Sequence, residues 1–70
     1  MVIYSRHAKI QMKFRRISKD EVEYCLNNHT LDYTDKKGNP IYVANTPSGR
    51  RIKVVVEKSS NPIKVITAAD

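Results

Sequence analysis

The spacing of apolar residues changes once along this chain, near Thr30, and that change constrains the fold more than any other feature. Before Thr30, apolar residues recur at the spacing of helices. After Thr30, β-branched residues alternate with polar ones at a period of two, which is typical of strands with one buried face. Helices followed by a run of strands predict a domain of the α+β class.

Two helices are predicted before Thr30. Ser5 is a suitable N-cap for a first helix that ends at about Arg15. The second helix is expected to begin after Ser18, because Ser18 and Glu21 have the spacing of a capping box. The two helices are therefore expected to follow each other directly, with only a short joint between them.

Four strands are predicted after Thr30, in the segments TLDYTD, PIYVAN, RRIKVVVEK and IKVITAAD. Turn residues separate them, with Gly38 in KKGN, Pro47 and Gly49 in TPSG, and the run SSNP before the last strand. Because short links join consecutive strands, an antiparallel meander is expected. The predicted architecture is a single domain over residues 1–70, with two N-terminal helices packed on one face of a four-stranded antiparallel meander, in the order ααββββ.

Cysteine content and hydropathy narrow the classes of protein to which the chain can belong. Cys25 is the only cysteine, so no disulfide forms within the chain. Neither Cys25 nor the two histidines, His7 and His29, show the paired spacing of a zinc site, and no metal or cofactor is expected. The residues after Met1 lack the apolar core of a signal peptide, and no run approaches the roughly 20 apolar residues of a membrane span. A soluble protein of a reducing, cytoplasmic compartment is expected.

Positive charge is concentrated in two regions of the sequence. The net charge is +6, from 13 lysines and arginines against 7 aspartates and glutamates. Six bases precede the first acid, Asp20, and a second cluster consists of Arg50, Arg51 and Lys53. Alternation places Arg51 and Lys53 on the same face of a strand. Two concentrated basic regions favour an anionic partner, most commonly nucleic acid, and the alternative is a charge that only maintains solubility.

The segment SRHAKIQMKFRRIS places three polar side chains in one line along the first predicted helix. His7, Gln11 and Arg15 are spaced i, i+4 and i+8 and form a polar stripe. Apolar residues border this stripe on both sides, namely Ile10, Phe14, Ala8 and Met12. In one interpretation, the sheet backbone and an acid such as Asp32 or Asp70 satisfy the stripe. In the other, the stripe faces a cleft and binds an anion, because an unpaired buried guanidinium is costly.

The same segment carries a resemblance to a known family. The pattern H-A-x-x-Q-M-x-x-R-R-I-S, followed by G-x-P-I-Y-V, G-R-R-I-K-V-V-V and V-I-T-A, resembles a bacterial and archaeal family of small domains of unknown function. That family is usually marked by His-Ala-x-x-Arg-Met-x-x-Arg-Gly-Ile-Ser. It is similar to the RelE-like fold of metal-independent ribonuclease toxins, a group that includes barnase and EndoU. The resemblance extends from Ser5 to Thr67 and implies a RelE-like fold.

The resemblance also implies an activity, a metal-independent endoribonuclease of the RelE-like toxin type. In such an enzyme, His7 is expected to act as acid or base, and Arg15 is expected to hold the phosphate. The expected substrate contacts are Gln11, Tyr42, Arg50, Arg51 and Lys53, with Tyr33 as the second aromatic candidate. The implied partners are RNA, either free or bound to the ribosome, and an antitoxin protein. The small size of the chain separately makes a second copy of it a candidate partner.

Two positions depart from the family pattern. Gln11 stands where arginine is usual, which removes one cation from the polar stripe and bears on catalysis. Arg16 stands where glycine is usual, at the joint between the helices. Two further hypotheses therefore stay beside RNA cleavage. One is a nucleic-acid-binding module without catalysis, and the other is a small protein that binds a partner, such as an antitoxin helix, through a strand edge or a helix face.

Overall fold

The computed structural model describes residues 1–70 as two helices packed on one face of a five-stranded sheet. The helices are α1 (Arg6–Arg15) and α2 (Lys19–Asn28). The strands, in chain order, are β1 (Val2–Tyr4), β2 (Leu31–Thr34), β3 (Pro40–Asn45), β4 (Arg51–Val56) and β5 (Ile63–Ala69). No helix has the length and apolar character needed to cross a membrane.

Both helices begin where their capping residues predict, and these predictions are confirmed. The Ser5 hydroxyl accepts a hydrogen bond from the Ala8 backbone N–H at 3.0 Å, at the start of α1. The Ser18 hydroxyl accepts from the Glu21 N–H, and the Glu21 carboxylate accepts from the Ser18 N–H, both at 3.0 Å. Each bond satisfies a backbone donor that the first turn of a helix leaves without an internal partner.

The joint between the helices depends on a left-handed residue, Arg16. Arg16 ends α1 with φ 55° and ψ 44°, and the chain turns there toward Ser18 and α2. A glycine adopts this conformation without steric cost, whereas an arginine is strained there. The glycine that is usual at this position in the family that the sequence resembles would therefore suit the backbone better than Arg16 does.

The predicted four-stranded antiparallel meander is wrong, because the sheet has a fifth strand and one parallel pair. The sheet order is β1-β5-β4-β3-β2, and β1 pairs in parallel with β5 through Val2–Ile63, Ile3–Lys64 and Tyr4–Val65. A strand of three residues is too short to show a period of two, so the sequence pattern did not reveal it. Its partner lies about 60 residues along the chain, which no local signal reports. The four predicted strands themselves are present as β2 to β5.

The core lies between the helices and one face of the sheet. α1 packs against β5, and α2 packs against β3 and β4. The side chains that this layer buries completely include Val22 and Cys25 from α2, Ile52 and Val54 from β4, and Val65 from β5. Alternation along β4 places Ile52, Val54 and Val56 on the side of the helices, opposite to Arg51 and Lys53.

No helix packs on the opposite face of the sheet, which we call the uncovered face. Two rows of side chains cross it, one of Leu31, Val43, Lys53 and Ala69, the other of Tyr33, Ile41, Val55 and Thr67. Ile41, Val43 and Val55 form a small apolar cluster of their own, with Ile66 packed against it. Neighbouring side chains shield this cluster from water, although no second layer covers it.

Candidate nucleic-acid interface

The polar stripe on α1 is divided between internal bonds and solvent. The Gln11 side-chain oxygen accepts a hydrogen bond from the Ala68 backbone N–H of β5 at 3.2 Å. The Arg15 guanidinium donates to the Asp70 carboxylate at 3.3 Å. His7 is exposed to solvent. Gln11 and Arg15 thus have structural partners, as the first interpretation of the stripe expects, and His7 alone is free to meet a ligand.

The two apolar borders of the stripe have different environments. Ala8 and Met12 are buried against the sheet, whereas Ile10 is 57% exposed and Phe14 is 90% exposed. The solvent side of α1 therefore carries an aliphatic side chain three residues after His7 and an aromatic ring seven residues after it. The same side carries exposed cations, namely Arg6, Lys9 and Lys13, and no acid is present before Asp20.

Arg50 joins three parts of the structure instead of facing an open site. Its guanidinium donates to the Asp70 carboxylate at 2.8 and 3.1 Å and approaches the Glu21 carboxylate at 3.4 Å. It also donates to the backbone carbonyls of Arg15 and Arg16, which end α1. Arg50 therefore holds the end of α1, the start of α2 and the end of β5 together. The sequence had grouped it with Arg51 as a substrate contact, and its positive charge is already compensated within the chain.

The ion pairs of Asp70 predict a specific dependence of stability on pH. The hydrogen bonds from Arg50, and secondarily the bond from Arg15, lower the pKa of the Asp70 carboxyl. In the unfolded chain this pKa returns to about 3.9. A carboxyl with a lowered pKa in the folded state stabilises the fold above the unfolded value, and this contribution is lost as the pH falls through the folded value. We expect the melting temperature to fall below about pH 4 for this reason.

The Asp70→Asn variant tests this dependence. It should melt at a lower temperature than the wild type at neutral pH, and its melting temperature should decline less on acidification, as followed by circular dichroism. Some decline should remain, because backbone N–H donors of Asn39 and Lys37 also lower the pKa of Asp35. Parallel pH profiles for variant and wild type would contradict the role of Asp70.

The uncovered face holds a groove in which two of the predicted strand cations meet an aromatic ring. The groove has a volume of about 280 Å³ and is lined by Leu31, Tyr33, Val43, Arg51, Lys53 and Asp70. Arg51 and Lys53 are exposed and take part in no ion pair within the chain. The Tyr33 side chain is 48% exposed. The site combines free positive charge, an open aromatic face and an apolar floor.

Tyr42, the aromatic residue favoured from the sequence, lies on the other face of the sheet. It packs against the main core, and its ring centroid is 4.7 Å from that of His29. Tyr33 is the ring that shares the groove with Arg51 and Lys53. Tyr33 lies on the uncovered face because it pairs with Ile41 in the next strand. The sequence alone does not reveal this register.

The structure separates His7 from the strand cations, but it does not separate Arg15 from them. His7 belongs to α1, on one face of the sheet, and does not line the groove of Arg51 and Lys53 on the uncovered face. Arg15 is bonded to Asp70, which does line that groove. Any RNA chemistry at His7 must therefore use the cations of α1.

The remaining reactive groups do not form a site. Burial raises the pKa of the Cys25 thiol to about 11, so the thiol is protonated at neutral pH. It donates to the carbonyl of Tyr42 at 3.4 Å, within the core. No three side chains among histidine, cysteine, aspartate and glutamate come together as metal ligands.

Comparison with known proteins gives one match. The family model described as Domain of unknown function (DUF4258) matches residues 4–70. No curated protein and no solved structure matches the chain. Similarity to the RelE-like fold is therefore not confirmed by these comparisons.

Proposed function

This chain belongs to that family of domains of unknown function, and we propose that it binds single-stranded RNA on the uncovered face of its sheet. One observation carries the proposal: Arg51, Lys53 and Tyr33 line the same groove, and no acid within the chain pairs with either cation. The two cations are suited to phosphate groups, and the exposed ring is suited to a base.

The apolar centre of the face supports a single strand rather than a duplex. Leu31 and Tyr33 line the groove and are 49% and 48% exposed, so an aliphatic side chain and an aromatic ring offer an apolar floor on which unpaired bases can pack. The bases of a duplex are stacked on one another and present only their edges, so they cannot use such a floor. A ligand that used only its phosphates would have no use for the apolar residues, Leu31 and Val43, that lie beside the cations in the groove.

The ion pairs within the chain favour Arg51 and Lys53, rather than Arg50, as the residues that contact RNA. Arg50 and Arg51 are adjacent in sequence, yet the Arg50 guanidinium is held by Asp70 and Glu21. Arg51 takes part in no ion pair within the chain, and Asp70, the one acid in the groove, is paired with Arg50 and Arg15. Among the strand cations predicted from the sequence, Arg51 and Lys53 are therefore the pair that can release counterions from a nucleic acid.

The Tyr33→Ala variant is the most direct test of this function. Stacking of one base on an aromatic side chain contributes about 1–3 kcal/mol, so the affinity for a short oligouridylate should fall by roughly 5- to 150-fold. Tyr33→Phe keeps the ring and should bind nearly as tightly as the wild type. Fluorescence anisotropy with a labelled oligonucleotide measures both affinities, and circular dichroism verifies the fold. Equal affinities for the wild type and Tyr33→Ala would refute binding at this face.

Metal-independent RNA cleavage is a second candidate function, and it rests on the solvent side of α1. His7 lies there with three cations and with Phe14, whose ring is nearly free of internal contacts. An imidazole can take the proton of a ribose 2′-hydroxyl while the 2′-oxygen attacks the adjacent phosphorus. A 2′,3′-cyclic phosphate forms, the bond from phosphorus to the 5′-oxygen of the next nucleotide breaks, and that oxygen leaves with a proton from solvent water. Binding to ribosome-bound RNA, to an antitoxin or to a second copy of the chain stays a prediction.

A further inference from the structure

A second groove lies at the opposite end of the uncovered face and contains three lysines. It has a volume of about 430 Å³ and is lined by Lys37, Asn39, Glu57, Lys58, Lys64 and Ile66. Lys37 and Lys58 take part in no ion pair within the chain. Glu57 is the only acid in the lining, and its carboxylate is 3.8 Å from the Lys64 ammonium. This lysine groove is therefore positively charged.

Two turns build the lysine groove, and internal bonds hold them in place. The turn between β2 and β3 supplies Lys37, and the turn after β4 supplies Lys58. The Lys58 backbone N–H donates to the Asn39 side-chain oxygen at 3.0 Å, which joins the two turns. The Asp35 carboxylate accepts backbone N–H bonds from Lys37 and Asn39 at 2.8 and 2.9 Å, and it forms no ion pair with the Lys37 ammonium. The lysines thus stand on an ordered frame with their charge available.

The apolar cluster of the uncovered face connects the two grooves. Val43 belongs to both the cluster and the first groove, and Ile66 packs against the cluster and lines the lysine groove. Along β4, Arg51 and Glu57 mark the two ends of this path, six residues apart, which corresponds to about 20 Å of strand. One nucleotide cannot cross this distance, so a strand that contacts both ends must contain several nucleotides.

We propose that the lysine groove binds a second set of phosphates on the same RNA strand whose other end contacts Arg51 and Lys53. This inference rests on the proposed function, since it extends the same site. It identifies the ligand as an oligonucleotide long enough to cross the whole face, with a base at Tyr33 and phosphates at both ends. A mononucleotide or a very short oligonucleotide reaches only one end.

A length series of oligouridylates tests this arrangement. The Lys37→Gln/Lys58→Gln variant should bind a dinucleotide as the wild type does, because a dinucleotide is too short to reach both ends of the path. For about ten nucleotides, the variant should bind about 25-fold more weakly in about 0.1 M salt. Its slope of log affinity against log salt should be smaller by about 1.4, from the loss of two contacts at about 0.7 each.

A matched control removes the same charge outside the groove. Lys36 lies in the same turn as Lys37 but does not line the groove, and the exposed Lys19 begins α2 and lines neither groove. The Lys36→Gln/Lys19→Gln variant should keep nearly the wild-type affinity for the long oligomer. An equal loss in both double variants would attribute the effect to overall charge and overturn the inference.

The results separate this inference from the proposed function. If the wild type binds short and long oligomers with equal affinity and Tyr33→Ala still weakens both, the first groove is the whole site and the lysine groove is not part of it. If the lysine variant loses affinity for the short oligomer as well, the two-ended arrangement is also refuted. If no oligomer binds in a Tyr33-dependent manner, the proposed function itself fails.

Discussion

Replacing Arg51 and Lys53 together by glutamine is expected to weaken the binding of single-stranded RNA by about 25-fold in about 0.1 M salt. Each lost phosphate contact on a single strand lowers the slope of log affinity against log salt by about 0.7, so two lost contacts lower it by about 1.4. Neither side chain makes an ion pair within the chain, and both are exposed. The fold should therefore keep its stability, and the whole loss should appear in binding.

The matched control lies on the other side of the molecule. Lys9→Gln/Lys13→Gln removes two equally exposed cations from α1, which lies on the opposite face of the sheet from the groove. Under the proposed function, this variant should bind within about threefold of the wild type, with a nearly unchanged salt slope. Anisotropy titrations at several salt concentrations measure all three proteins. A loss of affinity in Lys9→Gln/Lys13→Gln, with wild-type affinity in Arg51→Gln/Lys53→Gln, would place the RNA on α1 and refute binding at the uncovered face.

Replacing His7 by alanine is expected to abolish RNA cleavage if α1 forms the catalytic surface. General acid–base catalysis contributes about 10²- to 10⁴-fold, so the rate should fall by that factor. The exposed His7 side chain contributes little to the core, and the variant should melt close to the wild type. Because the groove with Tyr33 lies on the other face, RNA binding should not change. Gel analysis of RNA incubated in EDTA provides the measurement.

The second histidine is the control for this experiment. His29 contacts the Tyr42 ring and lies 3.5 Å from the Asp32 carboxylate, away from the cations of α1. His29→Ala should therefore cleave at the wild-type rate. A wild type that cuts neither free nor ribosome-bound RNA would remove the cleavage hypothesis and leave the binding function standing. Equal cleavage by His7→Ala and the wild type would assign the reaction to other residues.

Local features of the fold were predictable from the sequence. Ser5 and Ser18 cap their helices through bonds to residues three positions away, which any reading of the chain can detect. Gly38 and Gly49 have a φ of 85° in the two turns where the sequence places them. The alternation along β4 also assigned its faces correctly. Each of these features depends on neighbours within a few residues.

The site was only partly predictable, and Arg50 and Arg51 show why. They have the same chemistry and adjacent positions, and the sequence treated them as one basic cluster. In the fold, Arg50 bonds to Asp70, twenty residues away, and to Glu21, twenty-nine residues away. Arg51 projects from the opposite side of the strand. Contacts between distant residues also explain why Tyr33, and not the predicted Tyr42, lines the groove. The register between β2 and β3 places Tyr33 on the uncovered face.

The sequence alone determined where the helices begin, where the turns lie and which faces of the strands are aliphatic, because caps, turn residues and alternation act over a few positions. Only the tertiary structure decided that β1 joins β5 as a parallel partner, that Arg50 is held by acids while Arg51 is free, and that two cationic grooves lie at opposite ends of one apolar face. These outcomes depend on contacts between residues that are distant in the chain, and strand register and helix packing establish such contacts together.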